Sequence, residues 1–317
     1  MIAPELPALP YLAPWYRLAE VDGGLALEHG HAVVRLEGAA ASTLLPALLP
    51  LLDGTRTLDE VVACLGEPVR PAVESALRLL TEHRLLVEGP PGPEHDPAAA
   101  AAGFVAAATG SRTPAAIADA LRRARVAVVG SGALAADAAR ALRAGGIGVI
   151  ADVAAPVDLV VAAPAAAESG VLVGWNRAAL ARGVSWLQVL PFDGRYACVG
   201  PLYLPGETCC FECFRRRRRA NLDVGDELDL LETIPATYPA APFMSALVAA
   251  VAVTTALRWL VVGDHGAPSA FYAVELGDDL AVSRHHVHRV PRCPACSGLA
   301  DAAAPLPWFK EHAPADC

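Results

Sequence analysis

The chain has 317 residues and a formal net charge of −9, and 54% of its residues are hydrophobic and 19% charged. This composition indicates a folded protein with enough apolar surface for two domains, and it excludes a disordered chain. The acidic balance argues against a general nucleic-acid binder, because phosphate binding needs a positive field.

Residues 1–89 are predicted to form one unit of short strands, three helices and a closing strand. Strands are predicted at 15–21, 25–28 and 32–37, helices at 39–52, from Thr57 and at 71–84, and the closing strand at 85–88. The pattern Thr57-Leu58-Asp59-Glu60 matches a capping box, which marks the start of the second helix. This order of elements is typical of a winged-helix unit. Such a unit often binds DNA, but here 6 arginines face 12 acidic residues, which favours an extended peptide added to a strand edge instead.

A cluster of proline and glycine at 89–93 predicts the boundary of this unit. We expect a linker at 90–124 with two helices, at about 97–108 and at 114–123, and an α/β domain at 125–317. Its strands are predicted at 125–129, 147–151, 158–163, 186–190, 270–276 and 279–287. Its helices are predicted after the Gly130–Ala135 stretch, ending at 144, and at 176–182 and 243–262. The last helix is predicted to be a core helix rather than a membrane span, because its apolar run is too short. The N-terminus lacks the pattern of a secretory signal, so we expect a cytoplasmic protein.

Two Cys-x-x-Cys pairs predict a metal site in the second domain. The candidate ligands are Cys210, Cys213, Cys293 and Cys296. Four thiolates suit tetrahedral Zn²⁺ and leave no open position, which indicates a structural ion. Cys209 could replace Cys210 as a ligand. The alternative to a metal site is that the four cysteines are unrelated thiols or form disulfides.

The stretch Gly130–Ala135 follows a predicted strand and opens a helix, as in a dinucleotide-binding fingerprint, with Asp152 in the position of the ribose-binding acid. The alternative is a tight turn without a nucleotide. Only residues 153–157 separate Asp152 from the next predicted strand, which is too short for a second crossover helix. We therefore expect no ATP bound to this chain.

Two further clusters are open to more than one interpretation. The run Arg215–Arg219 is either a solvated helix face or a docking surface for an acidic protein. His285, His286 and His288 are interpreted as surface residues or neighbours of the metal site. No arrangement of nucleophile and base or of paired carboxylates stands out, so the sequence predicts no catalytic centre.

Three motifs together resemble one protein family. They are Leu48-Leu49-Pro50-Leu51-Leu52-Asp53-Gly54-Thr55-Arg56-Thr57-Leu58-Asp59-Glu60, Gly200-Pro201-Leu202-Tyr203-Leu204-Pro205-Gly206-Glu207-Thr208-Cys209-Cys210-Phe211-Glu212-Cys213 and Arg289-Val290-Pro291-Arg292-Cys293-Pro294-Ala295-Cys296. Their combination resembles the ThiF-like leader-peptide-binding proteins of azole- and azoline-modified peptide biosynthesis, in bacteriocin and thiopeptide pathways. These proteins are partners of YcaO-type cyclodehydratases.

The resemblance implies a specific organisation. It implies a winged-helix domain that adds the leader of a precursor peptide to its sheet, and a ThiF-like, Rossmann-like domain with a four-cysteine zinc site. The implied peptide-binding residues are Ala32, Val33, Val34, Arg35, Leu36, Val73, Ala76, Leu77 and Leu80. A proline at Val34 is predicted to block the strand.

The family also implies a division of labour. This chain would bind the leader and deliver the peptide to a separate YcaO-type enzyme, which consumes ATP and forms azolines from Cys, Ser and Thr. We therefore expect a non-catalytic subunit with no nucleic-acid or membrane partner, and homodimer formation is left open. The alternatives are an ATP-dependent ThiF-like adenylating enzyme, a dinucleotide-binding oxidoreductase and a winged-helix transcription factor.

Overall fold

The computed structural model describes residues 6–30, 32–89, 96–109, 113–150, 153, 155–168, 170–222, 227, 230–231, 234, 237–238, 240–277 and 280–297. Within them the chain divides into two units. Unit 1 is Met1–Arg123 with Ala144–Ile147, and unit 2 is Ala124–Arg143 with Gly148–Cys317. The division predicted at residues 89 and 124 is finer and stays a prediction.

Unit 1 contains two small antiparallel sheets and six helices among its described residues. The elements are β1 (Pro10–Leu12), β2 (Arg17–Val21), β3 (Gly24–His29), β4 (Ala32–Glu37), α1 (Ala39–Thr43), α2 (Leu45–Leu48), α3 (Leu58–Leu65), α4 (Arg70–Glu82), β5 (Leu86–Glu88), α5 (Pro97–Thr109) and α6 (Pro114–Arg123). Strands β2, β3 and β4 form one sheet in that order, and β1 pairs with β5 in the other. The predicted elements occur in the predicted order, but β1, which pairs with the closing strand β5, was not predicted, and the structure does not confirm a winged-helix unit.

The helix predicted at 39–52 is broken into three pieces. Helices α1 and α2 are separated at Leu44, and a short 3₁₀ turn, Leu49–Leu51, follows α2. Pro46 lies in the first turn of α2 and Pro50 in the 3₁₀ turn. Proline has no N–H to donate and is accepted at the start of a helix but not in its interior. The two prolines therefore explain why this stretch restarts instead of continuing as one helix.

The core of unit 1 joins the sheet to its helices. Leu25, Leu27 and Leu36 of the three-stranded sheet are buried, and they belong to the same apolar cluster as the buried side chains of the helices. The helical members include Val61 and Val62 of α3. Side chains alternate between the two faces of a strand, so only one face of this sheet contributes to the cluster.

The predicted capping box at the start of α3 is present. Thr57 donates its backbone N–H to the Glu60 carboxylate at 2.8 Å, and the Thr57 hydroxyl oxygen accepts the Glu60 N–H at 3.4 Å. We expect Thr57→Ala to lower the free energy of unfolding by about 1 kcal/mol, because it leaves an N–H of the first turn without a partner. Urea denaturation measures this change. Thr43→Ala is the control, since Thr43 only bonds back to the Ala39 carbonyl, and equal losses in both variants would contradict the prediction.

Unit 2 is a mixed sheet flanked by helices. Its strands are β6 (Arg125–Val129), β7 (Gly148–Ile150), β8 (Leu159–Ala162), β9 (Trp186–Leu190), β10 (Tyr196–Tyr203), β11 (Ala270–Glu275) and β12 (Ala281–His286), and its helices are α7 (Gly132–Ala144), α8 (Val171–Arg182), α9 (Phe211–Ala220) and α10 (Pro242–Val262). The seven strands lie in the order β12-β11-β10-β9-β8-β6-β7. Strands β7, β6, β8 and β9 run parallel, and β10 to β12 are antiparallel. A mixed α/β fold is therefore confirmed.

The connection from β7 to β8 is short. Strand β7 lies at the edge of the sheet and β8 lies on the other side of β6, so residues 151–158 carry the chain past β6. No helix occurs in the described part of this stretch, residues 153 and 155–158, in agreement with the sequence. Asp152 lies outside the described residues.

Helix α10 packs on the sheet of unit 2. It is long and apolar enough, by length and composition alone, to cross a membrane. It carries eight buried side chains and packs against β9 and β10. These contacts are those of a core helix, as the sequence predicts.

Candidate metal centre, glycine loop and edge strand

The four cysteines of the two Cys-x-x-Cys pairs meet at one point of unit 2. Their sulfur atoms all lie within 4.8 Å of one another. The Sγ atoms of Cys210 and Cys213 are 3.9 Å apart, those of Cys210 and Cys293 3.7 Å, and those of Cys213 and Cys296 3.6 Å. Thiolates around a tetrahedral zinc, with bonds of about 2.3 Å, stand about 3.8 Å apart. This buried group can therefore hold a metal ion, and its dimensions fit zinc.

Two local structures aim the sulfurs at this point. Cys210 is the residue before α9 and Cys213 lies in its first turn, so the helix start turns both sulfurs the same way. The second pair lies in the turns at 291–296, where the N–H of Ser297 donates to the carbonyl of Cys293 at 2.9 Å. Asn176 of α8 is buried and accepts the N–H of Phe211 at 3.0 Å. It satisfies a donor at the start of α9, a role that the sequence did not reveal.

Crowding of the sulfurs changes their acidity. A hydrogen bond from the Cys210 thiol lowers the pKa of Cys213 to about 4. The pKa of Cys210 is raised by the same hydrogen bond and by burial, and burial raises the pKa of Cys296 to about 11. The N–H of Val290 also donates to the Cys213 sulfur at 3.3 Å. One thiolate is thus stabilised by hydrogen bonds, and a cation would be needed to hold all four in that form.

Three arginines of the run 215–219 make hydrogen bonds or ion pairs within unit 2. Arg217 donates to the carbonyl of His288 at 2.5 Å and to that of Arg289 at 3.2 Å. Arg215 and Arg216 pair with Glu212 on their own helix. Arg217 therefore ties α9 to the segment that leads into the second cysteine pair, which neither interpretation from the sequence foresaw.

The other cysteines and the histidines lie outside the metal group. Cys209 is buried, and burial raises its pKa to about 12, but Cys210 is the member of the group. The remaining cysteines outside the group among the described residues are Cys64 and Cys198. Cys317 lies outside the described residues. His285, His286 and His288 are exposed, and none belongs to the group.

The glycine loop makes a tight turn between β6 and α7. A Cβ atom on Gly130 would lie 2.0 Å from the carbonyl oxygen of Ala163, so the close approach of that backbone requires glycine. The Ser131 hydroxyl donates to the carboxylate of Glu168 at 2.5 Å. A negative charge therefore lies at the loop, a feature with no motif in the sequence.

Strand β4 has an open edge. Among the described residues it pairs with β3 alone, and two-residue turns join β2 to β3 and β3 to β4. In such hairpins the two residues that flank the turn are hydrogen-bonded to each other through their backbones. Counted from there, every second cross-strand pair of residues is hydrogen-bonded in the same way. The backbones that face β3 are therefore those of Ala32, Val34 and Leu36. The backbones that face the open edge are those of Val33, Arg35 and Glu37.

The predicted peptide-binding residues divide into two groups. On β4, Ala32, Val33 and Arg35 are exposed, Val34 is half-buried and Leu36 is buried. On α4, Val73, Leu77 and Leu80 are buried in the core of unit 1, and Ala76 is half-buried. The accessible part of the predicted site is thus β4. A role in peptide binding stays a prediction for all nine residues.

Several solved structures have this fold. A heterocyclase in complex with substrate and cofactor matches with a TM-score of 0.73 and 24% identity, over 91% of this chain and 39% of that chain. The heterocyclase TruD matches with a TM-score of 0.73 and 24% identity, over 92% of this chain and 43% of that chain. The microcin C7 biosynthetic enzyme MccB, in complex with N-formylated MccA, matches with a TM-score of 0.64 and 15% identity, over 91% and 99%.

The chain shares its fold with these enzymes. It spans about two fifths of the length of the two heterocyclase chains. No protein-family model and no curated protein matches the sequence. The fold is therefore the one seen in two heterocyclase structures and in the microcin C7 biosynthetic enzyme MccB.

The expectation of a non-catalytic subunit is wrong. The similar structures are heterocyclases and a biosynthetic enzyme, which points to an enzyme. The expectation rests on the resemblance to partner proteins of cyclodehydratases, on the lack of a catalytic motif and on the short connection after β7. None of these excludes participation of the chain in catalysis.

The residues at the glycine loop do not fit the phosphates of a nucleotide. E. coli MccB has been solved with ATP. A phosphate site needs donors and positive charge, whereas here the Glu168 carboxylate is bonded to Ser131. A cavity beside this loop is lined by Val129, Ala162, Leu172 and Trp175 with their neighbours, and no Lys or Arg lines it among the described residues. We derive no reaction step through a nucleotide at this loop.

Proposed function

We propose that this chain is a component of an enzyme that forms heterocycles in a ribosomally made precursor peptide, and that it binds the leader of that peptide. The observation that carries the proposal is the open edge of β4 in a chain with the fold of heterocyclases. An edge strand offers unpaired N–H and C=O groups, which an extended peptide can pair with.

The recognition domain of this proposal is residues 1–89. Three alternate residues of β4, Val33, Arg35 and Glu37, present their backbones to the peptide, and β4 keeps its bonds to β3 at the residues between them. Main-chain bonds give affinity without regard to sequence, so side chains beside the added strand must give selectivity. Val33, 58% exposed, supplies an apolar contact of that kind on β4.

The metal group has a structural role in this proposal. Cys210, Cys213, Cys293 and Cys296 would hold one zinc ion in unit 2, joining the start of α9 to the turns at 291–296. Four protein ligands leave no position for a substrate or a water molecule. The ion therefore stabilises unit 2 and takes no part in the reaction.

The chain is proposed to act with a YcaO-type partner in the cytoplasm. A heterocycle forms when a Cys, Ser or Thr side chain attacks the preceding amide carbonyl and one water is lost for each ring. Holding the leader keeps the reactive part of the peptide at a high local concentration near the partner. This increase in local concentration requires no surface that binds nucleic acid or membranes.

Reconstitution tests this function. The precursor encoded beside this chain is incubated with the YcaO-type partner and ATP, with and without the chain, and mass spectrometry counts the waters lost. We expect ring formation to be about 100-fold slower without the chain, because the leader is then not tethered. A precursor without its leader is the control and should gain nothing from the chain. Equal rates with and without the chain would contradict the proposal.

A ThiF-like adenylating enzyme is the second candidate. It is favoured by the overlap with MccB, which extends over 99% of that chain. The Glu168 carboxylate at the glycine loop disfavours it. In the same reconstitution, release of pyrophosphate by the chain and peptide alone, without the partner, would support this candidate.

A further inference from the structure

The two cysteine pairs of the metal group come from distant parts of the chain. Cys210 and Cys213 lie at the start of α9, and Cys293 and Cys296 lie in the turns at 291–296. The pairs can bind one ion only while the two segments stay together. Because four thiolates carry twice the charge of one Zn²⁺, a loaded site also keeps an excess of negative charge. Groups beside the ligands must therefore hold the segments in place and offset that charge.

Arg217 holds the second segment from the side of the first. It lies on α9, in the turn after Cys213, and it is half-buried. Its guanidinium donates to the carbonyl of His288 at 2.5 Å and to that of Arg289 at 3.2 Å. These carbonyls come directly before Val290, whose N–H donates to the Cys213 sulfur at 3.3 Å. The contacts of Arg217 thus position a backbone donor against a metal ligand.

Arg289 makes the reciprocal connection. Its guanidinium donates to the carbonyl of Gly206 at 3.2 Å and also to the carbonyl of Cys296. Gly206 lies in the segment that leads into Cys210, and Cys296 is the last cysteine of the second pair. One guanidinium therefore joins the two segments beside the metal group. Arginine suits this role because its planar group donates to two acceptors in a fixed geometry and is always charged.

We infer that Arg217 and Arg289 form a clamp that retains the metal ion, in which each arginine binds backbone carbonyls of the segment that carries the other. Both are positioning residues, since neither is a ligand and they act by keeping Cys213 and Cys296 in place. Their charges also offset part of the charge of the thiolates. The inference rests on the zinc site of the proposed function. It does not depend on leader binding by β4, because all of its residues lie in unit 2.

The zinc affinity of the full chain tests the clamp. Equilibrium competition with the chelator pyridylazoresorcinol, followed by the absorbance of its zinc complex, measures this affinity. We expect Arg217→Gln and Arg289→Gln each to bind zinc roughly 10-fold more weakly than the native chain or worse, which is the usual effect of removing a group that orients a metal ligand. Native affinity in both variants would overturn the clamp.

Arg216→Gln is the matched control for the loss of a positive charge. Arg216 lies on the same helix as Arg217, but it is exposed and pairs with Glu212. Glu212 keeps its other ion pair, with Arg215, in this variant. We expect Arg216→Gln to bind zinc with native affinity. A loss equal to that of Arg217→Gln would show that charge alone weakens the site, and it would overturn the clamp.

Lysine variants separate charge from geometry. Arg217→Lys and Arg289→Lys keep the positive charge but donate from a single nitrogen, so they cannot hold two carbonyls in the fixed geometry of a guanidinium. They should restore only part of the zinc affinity that the glutamine variants lose. Full restoration by lysine at both positions would overturn the clamp, because charge would then suffice.

A core variant separates metal retention from general stability. Val261 of α10 is buried, and it lies outside the apolar cluster that contains the cysteines. Val261→Ala should lower the melting temperature through lost packing but keep native zinc affinity at a temperature where circular dichroism shows a folded chain. A loss of affinity as large as in the arginine variants would assign their effect to the fold and overturn the clamp. A native chain that binds no zinc would instead contradict the metal site of the proposed function.

Discussion

Arg35→Pro should weaken leader binding by roughly 30-fold or more, because it removes an N–H that the open edge of β4 offers to the peptide. Proline also fixes the backbone and places its ring where the added strand would lie. The bonds between β4 and β3 are not affected, since Arg35 faces away from β3, and proline is tolerated at such positions of edge strands. Fluorescence anisotropy of the labelled leader, titrated with the full chain, measures the change.

Two variants control for the side chain and for the fold. Arg35→Ala keeps the N–H and should bind within a few-fold of the native chain, because the Arg35–Glu37 ion pair is exposed and such pairs contribute little. Glu20→Pro places the same change on β2, at the other edge of the sheet, where the backbone of Glu20 also faces away from β3. We expect it to leave binding unchanged. A loss of affinity in Glu20→Pro with none in Arg35→Pro would move the peptide to β2.

The direction of backbone groups could not be predicted from the sequence. The strand at 32–37 was correctly placed, but a proline at Val34 would remove a bond to β3 and damage the sheet itself. Which residues face the open edge depends on the lengths of both turns in the three-stranded sheet. The turn lengths follow from the sequence only if the first and last residue of each strand are known.

Burial on α4 shows a related limit. Periodicity correctly predicted the apolar face of this helix, but a groove wall and a core face have the same pattern. The structure places Val73, Leu77 and Leu80 in the core of unit 1. Only the packing of the sheet and helices decides which apolar side chains are still available to a ligand.

Strands β6 and β9 and helix α6 begin and end where the sequence predicts. They are bounded by glycine, proline or charged residues, and each has a clear apolar pattern. The metal-binding cysteines could also be predicted from the sequence, because a Cys-x-x-Cys turn is a local motif. The Ser131–Glu168 hydrogen bond at the glycine loop joins residues that are far apart in sequence, and it has no local signal.

Cys293→Ser should remove the metal from the chain and lower the melting temperature by roughly 10 °C. Serine is a poor ligand for zinc, and a group with three thiolates leaves their charges only partly compensated. The purified native chain should hold one zinc ion, as measured by plasma mass spectrometry, and differential scanning calorimetry measures the melting temperature. Acid should release the ion, because protonation of the thiolates competes with the metal.

Cys64→Ser is the matched control for this prediction, because Cys64 is exposed and lies outside the metal group. It should keep the zinc content and the melting temperature of the native chain. Leader binding tests whether β4 acts independently of the metal site. If β4 alone binds the leader, Cys293→Ser should bind it with native affinity. The measurement is made at a temperature where the native chain and the variant are both folded. A native chain that contains no metal, with a melting temperature unchanged by Cys293→Ser, would show that the four sulfurs meet without an ion.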